Sequence, residues 1–451
     1  ATLNLGPLAD NGGATLTHLP GAGSAAIGAI PNGTTISNNG TSWTCNDVDT
    51  FTDQRGVSRP INTATACTAG AVEVELPPLC PSWTVTTADE LYDCITLANA
   101  NENPSPSADT ITLGADINLT TLTTSPLPQI TSEITLEGAD HYIDGGWDGV
   151  HASGTGRQIF YVTSTGDFTV NQTTLQHGEA TDGGAIFSTG SMLTVTNSTF
   201  SGNSATNFGG GILAAGSTTT VTGSTFSGNS ASFGGGIYNW NILTVTNSTF
   251  SDNSANNEGG GIYSESPATV TNSTFSGNSA TDSGGGIVNT NRLTVTNSTF
   301  SGNAATTGDG IFNMSQFHLM GTIFASGASG DNCVNFAGGT LTDNGYNLSD
   351  DTTCTNGGTG SATNATLNLG PLADNGGATL THLPGAGSDA IDVIPNGSCN
   401  LNTDQRGIAR PQGSACDSGA VESQGFILSL VGGNNQSAAI NTAFANALQV
   451  T

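Results

Sequence analysis

The stretch LTVTNSTFSGNSATNFGGGI, residues 193–212, recurs with small changes four more times along the chain. The later copies read TVTGSTFSGNSASFGGGIYN from Thr220, LTVTNSTFSDNSANNEGGGIYS from Leu243, TVTNSTFSGNSATDSGGGIVN from Thr269 and LTVTNSTFSGNAATTGDGIFN from Leu293. Their phenylalanines at positions 200, 226, 250, 275 and 300 recur every 24 to 26 residues. A fixed period in this range indicates a solenoid, because each repeat buries its apolar face against its neighbours.

The inside of one repeat indicates strands rather than helices. Leu293 and Val295 alternate with threonines, and no window places apolar residues at helical spacing. Thr, Val, Ile and Phe favour strands, whereas the Asn-Ser, Gly-Asn and Gly-Gly-Gly segments supply tight corners. Each repeat therefore predicts three short strands, roughly LTVTN, STFSGN and GGGIYN. They form one coil of an all-β, three-sided, single-stranded parallel β-helix, with the right-handed winding that parallel crossovers favour.

Identical residues stack in register in such a coil, since each strand pairs with its equivalents about 4.8 Å away. This predicts interior columns of Phe, Val and Ile, and two corner columns of asparagine whose amides form hydrogen-bonded ladders. The first predicted ladder comprises Asn197, Asn247, Asn272 and Asn297. The second comprises Asn203, Asn229, Asn253, Asn278 and Asn303.

Charge and hydropathy exclude several partner classes. Of the 451 residues 9% are charged, the formal net charge is −29, and all six basic residues are arginine. This balance argues against nucleic acid and against an anionic membrane surface, which both bind basic patches. The sequence has no apolar run long enough for a transmembrane segment, and no initiator Met or signal peptide. We therefore expect a mature, trimmed or excised part of an exported protein.

The eight cysteines form four close pairs along the sequence. No pair has Cys-x-x-Cys spacing, so disulfides are a better interpretation than a metal site. Disulfides persist in oxidising compartments, which predicts an extracellular or cell-surface location. The predicted pairs are Cys45 with Cys67, Cys80 with Cys94, Cys333 with Cys354, and Cys399 with Cys416.

One module occurs twice in the chain. Residues 1–33 and 365–397 are nearly identical, and both copies continue into Asp-Gln-Arg-Gly, Arg-Pro and Gly-Ala-Val-Glu segments. We expect the second copy to finish the last coils, and the first to leave an open β edge that favours end-to-end self-association. His18 and His382 occupy equivalent positions, which marks them as module residues rather than catalytic ones. The arginines of the Asp-Gln-Arg-Gly segments are expected to pair internally, with Asp53 or Asp404 or with backbone carbonyls.

The pattern predicts five regions along the chain. The only plausible helix, Ala88–Ala100, has Asp89 and Glu90 near its start and is expected to cap the open end of the solenoid. The five predicted regions are a closing module of a preceding unit at 1–76, a linker with N-terminal cap and first coils at 77–140, the parallel β-helix repeats at 141–330, the last coils and closing module at 331–424, and strands of a truncated or partner-completed immunoglobulin-like domain at 425–451.

Several segments resemble modules of exported bacterial surface proteins. LGPLADNGG, TDQRG, ARPQG and SGAVE in residues 369–422 resemble the choice-of-anchor Q module of exported β-helix proteins. TVTTADELYDCITLANAN, from Thr84, resembles the CSLREA-type region, although residues 94–99 read CITLAN instead of that core. The GGGI and NSTFSGN repeats are similar to those of polymorphic outer-membrane proteins and related surface adhesins, and residues 430–450 resemble a bacterial immunoglobulin-like repeat. These resemblances imply architecture and export, and say little about activity.

The segment DGGWDGVHASGTGR, residues 144–157, is the one constellation that fits a site. It holds Asp144, Asp148, His151 and Arg157, and Trp147 is available to stack on a sugar. Many parallel β-helices cleave polysaccharides with carboxylates or with a basic residue beside acidic groups. The alternative interpretation, which we favour, is a looped early coil with solvated acidic residues, because function follows from a site and not from a fold.

The sequence as a whole predicts an extracellular structural or adhesive β-solenoid of the bacterial cell surface, a repeating unit of a filament or stalk. We expect no catalytic residues, no cofactor and no metal, and we expect end-to-end self-association as the main partnership. Surface glycans are further candidate partners, with Trp147, Asp148 and Arg157 as the contact residues. The alternative is a polysaccharide-binding or polysaccharide-cleaving enzyme with its site near Asp144 to Arg157.

Overall fold

The computed structural model describes residues 80, 83–100, 109–123, 126–148, 156–325 and 331–424 in full. It describes the backbone alone in the short strands outside these ranges. The chain forms two compact units, Ala1–Thr84 and Val85–Thr451.

The part of the first unit that the structure describes contains six short strands that pair with one another in antiparallel fashion. The pairs are β1 with β2, β3 with β6 and β4 with β5. The bounds are β1 (Leu5–Ala9), β2 (Thr17–Pro20), β3 (Ile30–Pro31), β4 (Thr35–Asn38), β5 (Thr41–Thr44) and β6 (Ala66–Cys67).

The second unit is a right-handed parallel β-helix of about ten turns, which confirms the predicted fold class. Its longest sheet consists of β7 (Thr84–Val85), β8 (Asp109–Leu113), β10 (Glu133–Glu137), β13 (Asp167–Asn171), β17 (Met192–Thr196), β21 (Thr218–Thr222), β25 (Leu243–Thr246), β29 (Ala268–Thr271), β33 (Arg292–Thr296), β36 (Gln316–Met320) and β39 (Thr340–Asp343). The second sheet consists of β9 (Ile117–Asn118), β11 (Tyr142–Asp144), β14 (Thr174–Gln176), β18 (Thr199–Ser201), β22 (Thr225–Ser227), β26 (Thr249–Ser251), β30 (Thr274–Ser276), β34 (Thr299–Ser301), β37 (Ile323–Ala325) and β40 (Leu348–Ser349). The third sheet consists of β12 (Phe160–Val162), β16 (Ile186–Ser188), β20 (Ile212–Ala214), β24 (Ile237–Asn239), β28 (Ile262–Ser264), β32 (Ile287–Asn289), β35 (Ile311–Asn313) and β38 (Cys333–Asn335).

A fourth, shorter sheet follows the second in each repeat coil and is absent from the sequence prediction. It consists of β15 (Glu179–Asp182), β19 (Ser204–Phe208), β23 (Ser230–Phe233), β27 (Ser254–Glu258) and β31 (Ser279–Ala280). Each strand turns a single alanine inward, and Ala255, Ala280 and Ala305 form a small buried cluster. The segment lacks apolar alternation, so the sequence pattern predicts a corner there.

The interior is built from columns of identical side chains, as predicted. Phe200, Phe226, Phe250, Phe275 and Phe300 stack with ring centroids 4.6–4.8 Å apart and nearly parallel planes. All five are at most 1% exposed. Burying one such side chain contributes about 1.5–3 kcal/mol, and stacked aromatic pairs add to this. The repeat therefore supplies its own core, one coil at a time.

The asparagine column beginning at Asn203 forms the predicted hydrogen-bonded ladder. From Asn203 to Asn303, each side-chain Nδ2 donates to the Oδ1 of the next asparagine at 2.8–2.9 Å. The backbone N–H groups of the same asparagines donate to that Oδ1 as well. All five are nearly fully buried, so the ladder satisfies corner groups that would otherwise be costly to bury.

The prediction of a ladder in the other column was wrong. Asn197, Asn247, Asn272 and Asn297 all have positive φ angles, between 45° and 52°. The Oδ1 atoms of Asn247, Asn272 and Asn297 accept no hydrogen bond within the part of the chain that the structure describes. These residues recur because asparagine tolerates the left-handed backbone that this corner requires. A column of identical amides is therefore not sufficient evidence for a ladder.

Helix α1 (Ala88–Ala100) has the bounds that the sequence predicts and lies against the first coils. The Glu90 N–H donates to Thr87 Oγ1, and the Glu90 carboxylate accepts from the Thr86 N–H, which fixes the first turn. Its buried face includes Leu91 and Ile95. The helix covers apolar residues that the first coil would otherwise expose. Single 3₁₀ turns are present at Leu119–Thr121 and Asn396–Ser398.

The disulfide predictions are confirmed where the structure describes the cysteines. Cys333 bonds to Cys354 and Cys399 to Cys416, and Cys80 and Cys94 are also disulfide-bonded. The predicted Cys45–Cys67 pair lies outside the residues with described side chains. At the other end of the chain, β41 (Leu430–Gly432) and β42 (Gln449–Val450) pair in antiparallel fashion. The remainder of the predicted immunoglobulin-like region lies outside the described residues.

Candidate functional site

The predicted constellation around Trp147 lies at an open cleft beside the early coils. The cleft has a volume of about 570 Å³ and is lined by Asn118, Thr120, Asp144, Trp147, Asp148 and His177, among others. Asp144 ends β11, and His177 follows β14 in the next coil, so the parallel register places them side by side. Sequence reasoning missed His177, although its position one coil after Asp144 is the signal that would have found it.

The Asp144 carboxylate is held by three hydrogen bonds. Oδ2 accepts from Gln176 Nε2 at 2.9 Å and lies 3.1 Å from His177 Nδ1, while Oδ1 accepts from the Gly146 N–H at 2.8 Å. Burial raises the pKa of Asp144, but these hydrogen bonds outweigh burial and hold its pKa below the usual range. Asp144 is therefore an anion at neutral pH, and it orients the His177 ring.

An imidazole oriented by a carboxylate is an arrangement that can transfer protons. The His177 side chain is 44% exposed, so solvent and a cleft ligand can reach it. The same contacts also tie two successive coils together, which is a purely structural role.

Arg157 is not among the residues that line the cleft. Its backbone N–H donates to the Gly145 carbonyl, and its own carbonyl accepts from the Glu179 N–H. Its Nη1 atom is buried and makes no hydrogen bond to any described residue. His151 lies outside the described residues. The structure thus brings Asp144, Trp147 and Asp148 to the cleft and leaves Arg157 beside it.

A second surface, the aromatic row, follows the outer face of the third sheet. In every strand of that sheet the middle residue points away from the interior, and these residues pair in register from coil to coil. The row consists of Tyr161, Phe187, Leu213, Tyr238, Tyr263, Val288, Phe312 and Val334. The alternation of the repeat predicts only the inward Ile column, so the sequence analysis missed this row.

The aromatic row has its most extensive ring contacts at Tyr238 and Tyr263, where Phe208 of β19 packs beside it. The Tyr238 and Tyr263 rings stack 4.8 Å apart, and Phe208 packs edge-on against Tyr238. The Tyr238 hydroxyl donates to the Glu265 carboxylate. Burial, with the nearby Glu258 and Glu265 carboxylates, raises the pKa of Tyr263 to about 12. Leu213, Tyr238, Val288 and Phe312 of the row are buried, whereas Trp240 beside Tyr238 keeps 40% of its surface exposed. The region therefore exposes Trp240 and the half-buried Tyr263, bordered by acidic groups.

A third surface is formed by the Thr/Ser ladder on the outer face of the second sheet. The ladder consists of the first and third residues of strands β18, β22, β26, β30 and β34, namely Thr199, Ser201, Thr225, Ser227, Thr249, Ser251, Thr274, Ser276, Thr299 and Ser301. Thr249, Thr274 and Thr299 are at most 1% exposed, whereas Thr199 and Thr225 are half-buried. Another part of the chain therefore covers the ladder at Thr249, Thr274 and Thr299.

Residues 365–424, the docked module, cover these three threonines. They do not add coils to the end of the solenoid, as the sequence analysis expects, but lie along its side. Gln405 Nε2 donates to Thr249 Oγ1 at 2.8 Å, and Gln405 Oε1 accepts from Thr274 Oγ1 at 2.7 Å. His382 Nε2 lies 2.9 Å from Ser276 Oγ. Repeated hydroxyls at strand spacing thus match polar groups at fixed positions in the module.

Backbone groups complete the docking surface. The Leu380 carbonyl accepts from Thr249 Oγ1, the Ala420 N–H donates to Thr299 Oγ1, and the Gly419 N–H donates to the Gly321 carbonyl. An apolar contact is present at the far end, where Ile323 replaces the ladder threonine and packs with buried residues of the module. The interface is therefore mainly polar and specific in register.

Two ion pairs fix the docked module internally, and the one at Arg406 confirms the expectation for the arginine of its Asp-Gln-Arg-Gly segment. Arg406 donates to Asp404 Oδ2 at 2.7 Å and to the Glu422 carbonyl. Arg410 donates to Glu422 Oε2 at 3.1 Å and to the carbonyls of Asp417 and Gly419. His382 also has the structural role expected for a module residue, since its Nδ1 lies 2.7 Å from the Gly370 carbonyl.

Two structural findings bear on metal ions and membranes, and both concern the described ranges alone. Within those ranges, no group of three or more His, Cys, Asp or Glu residues has the geometry to hold a metal ion. None of the described helices is long and apolar enough to cross a membrane.

Comparison with known proteins supports the fold. Residues 158–368, slightly less than half of the chain, match the family model described as a right handed beta helix region. No curated protein and no solved structure matches the chain. The matched span covers most of the repeat coils and ends where the docked module begins.

Proposed function

We propose that this protein is an extracellular structural and adhesive β-solenoid of the bacterial cell surface, and that it is a repeating unit of a filament or stalk without catalytic activity. A parallel β-helix also serves as the scaffold of polysaccharide-active enzymes, so the argument rests on what the side chains do. The disulfides and the net charge of −29 suit a protein that stays dispersed in an oxidising compartment.

The observation that carries the proposal is the residue-for-residue register of the longest sheet through the repeat coils. In that sheet, the strand pairs from β17 to β36 keep equivalent residues opposite each other without a slip, whereas the short fourth sheet has irregular register. Ten coils at about 4.8 Å each make a rod roughly 48 Å long. The repeated side chains serve stacking inside and docking outside, which favours a rigid spacer over a scaffold built for one reaction.

The adhesive part of the proposal is supported by the aromatic row. The accessible surface beside Tyr238 is the exposed Trp240 with the half-buried Tyr263, and tyrosine and tryptophan are enriched at contact sites. Replacing Trp240 and Tyr263 by alanine is expected to reduce binding of the protein to its native cell surface. A matched control is Trp147→Ala, which removes a tryptophan elsewhere on the β-helix.

The structural role is tested by the assembly state of the protein in its native source. Negative-stain images and size-exclusion chromatography of native material are expected to show linked or tethered rods. Monodisperse single rods as the only species would contradict the proposal.

The second candidate function is polysaccharide binding or cleavage at the cleft, and the observation that favours it is the Asp144–His177 pair beside Trp147. A panel of acidic and neutral polysaccharides tests it with the purified chain. Cleavage or binding that is lost in Trp147→Ala and kept in Trp240→Ala would establish the cleft as the site. Absence of both binding and product across the panel would leave the structural proposal alone.

A further inference from the structure

The first unit and the docked module share the same backbone pairings. In the first unit Leu5 pairs with Pro20 and Ala9 with Thr17, in antiparallel fashion. In the docked module the bridges are Leu369 with Pro384 and Ala373 with Thr381. Every one of these residues is shifted by the same 364 positions.

The third pairing agrees as well, although the sequences between its partners differ in length. Ile30 pairs with Cys67 in the first unit, and Ile394 pairs with Cys416 in the docked module. The sequence duplication therefore extends to the backbone pairings that the structure describes in both copies.

The residues that bind the Thr/Ser ladder are retained in the first copy. His18 stands at the position of His382, Gln54 at the position of Gln405, and Thr15 at the position of Thr379, whose hydroxyl also contacts Gln405. The residues that fix the docked module internally are retained too, as Asp53, Arg55, Arg59 and Glu73. The Gln405 side chain makes two hydrogen bonds to ladder hydroxyls, those of Thr249 and Thr274, and a third to the Ser248 carbonyl, so retention of its equivalent preserves a specific interface.

The described residues contain one Thr/Ser ladder, and the docked module already occupies its rungs Thr249, Thr274 and Thr299. The remaining rungs, Thr199 and Thr225, adjoin that module, since Ala378 lies next to Gly223. The docked module contacts three successive strands of the ladder. The uncovered part of the described ladder consists of only two, those of Thr199 and Thr225.

We propose that residues 1–73 form a ladder-binding module whose partner is the Thr/Ser ladder of a second copy of this chain. The module of one copy then takes the place of the docked module on the next, so that copies join side-on through hydroxyl ladders rather than end to end through β edges. This inference deepens the proposed function and rests on it in treating the protein as a unit of an assembly.

The experiment frees the ladder in the full chain and measures self-association. The double variant His382→Ala/Gln405→Ala removes the side-chain contacts of the docked module. Its weight-average mass in analytical ultracentrifugation is expected to rise above one chain mass with concentration, and to continue past two, since each copy offers both a module and a ladder. The wild-type chain is expected to associate less at each concentration, because its own module is tethered beside the ladder and competes at high effective concentration.

Two matched controls assign the contact. Adding His18→Ala/Gln54→Ala to the double variant is expected to restore a monomer, because the ladder-binding module is then also impaired. Adding Thr274→Val/Thr299→Val instead is expected to do the same from the ladder side, since valine keeps the shape and loses the hydroxyl. Circular dichroism checks that each variant retains the β-helix. If the double variant loses it, the milder Gln405→Glu replaces it in the same series.

A monomer at all concentrations in a folded ladder-freed variant would overturn the inference, and so would association that persists after His18→Ala/Gln54→Ala. These outcomes are distinct from failure of the proposed function. Assemblies in native material together with a monomeric ladder-freed variant would remove the inference and leave the structural role. Single rods in native material together with module-dependent association would contradict the structural role and leave the inference in place.

Discussion

The repeat coils and the docked module are stabilised by different interactions. Between residues 193 and 313 each coil buries the same Phe, Val and Ile side chains against its neighbours. The module at residues 365–424 has few large apolar side chains and is fixed by buried ion pairs and a disulfide. The comparison teaches that stacking makes a coil self-sufficient, whereas the module depends on single polar contacts.

The largest expected effect is in the core of the coils. Phe250→Ala deletes a ring that stacks on two others and is fully buried, so we expect a loss of about 3–5 kcal/mol in the free energy of unfolding. Denaturant titration followed by circular dichroism measures this. Thr244→Ala, on the outer face of the same coil, is the control and should change stability by less than about 1 kcal/mol. Equal effects would contradict the stacked core.

Breaking the ion pair inside the module should have the next largest effect. Arg410→Met leaves the Glu422 carboxylate buried without its cation, at a cost of about 3 kcal/mol. The effect should stay local, with faster hydrogen exchange in residues 365–424 and unchanged exchange in the repeat coils. Arg292→Met, at an exposed position on β33, is the control. Loss of protection in the coils would show that the coils depend on the module.

Two corner glycines differ in how closely neighbouring atoms approach them. A Cβ on Gly235 would lie 2.4 Å from the Gly260 carbonyl oxygen and 2.5 Å from that of Ser254, so Gly235→Ala should cost about 2 kcal/mol. Gly302 has a φ of +64° but nothing within 4 Å of its Cβ position. Gly302→Ala should therefore cost about 1 kcal/mol, from backbone strain alone. Thermal denaturation compares the two, and the reverse order would contradict the close approach of coils at the Gly-Gly-Gly corner.

The smallest expected effect is a pH dependence of the module. Burial lowers the pKa of His382, although the Gly370 carbonyl partly raises it. Below about pH 6.5 the unfolded chain therefore binds a proton that the folded chain does not. The contribution of His382 is complete above that pH and is lost as the pH falls toward the lowered pKa. The Tm of the wild type should fall more than that of His382→Gln between pH 7 and pH 5. Parallel curves would contradict this, since the other titrating groups are common to both proteins.

The periodic part of the molecule was predictable from the sequence, and the reason is physical. A coil that stacks on its copy must repeat its inward residues, so the Phe and Ile columns can be identified by spacing alone. The column of Asn197 was misinterpreted, because a ladder amide and a left-handed corner both favour asparagine at a fixed period. The fourth sheet was missed, since a strand that buries only Ala205 has no apolar alternation.

The candidate site was only partly predictable. Asp144, Asp148 and Trp147 are adjacent in sequence, so their grouping follows from the chain itself, whereas His177 joins them from the next coil. The docking of residues 365–424 was not predictable, because Gln405 and Thr249 are 156 residues apart and no sequence pattern includes both residues. Contacts that occur once leave no periodic signal.

Hydrogen–deuterium exchange of the full chain tests the central claim most directly, with the wild type compared to His382→Ala/Gln405→Ala. The account predicts faster exchange in residues 365–424, while the amides of the Phe column from Phe200 to Phe300 stay protected. Faster exchange throughout the β-helix would contradict the account, because the coils would then depend on the module. Unchanged exchange in residues 365–424 would contradict it too, because the module would then not be held by the Thr/Ser ladder.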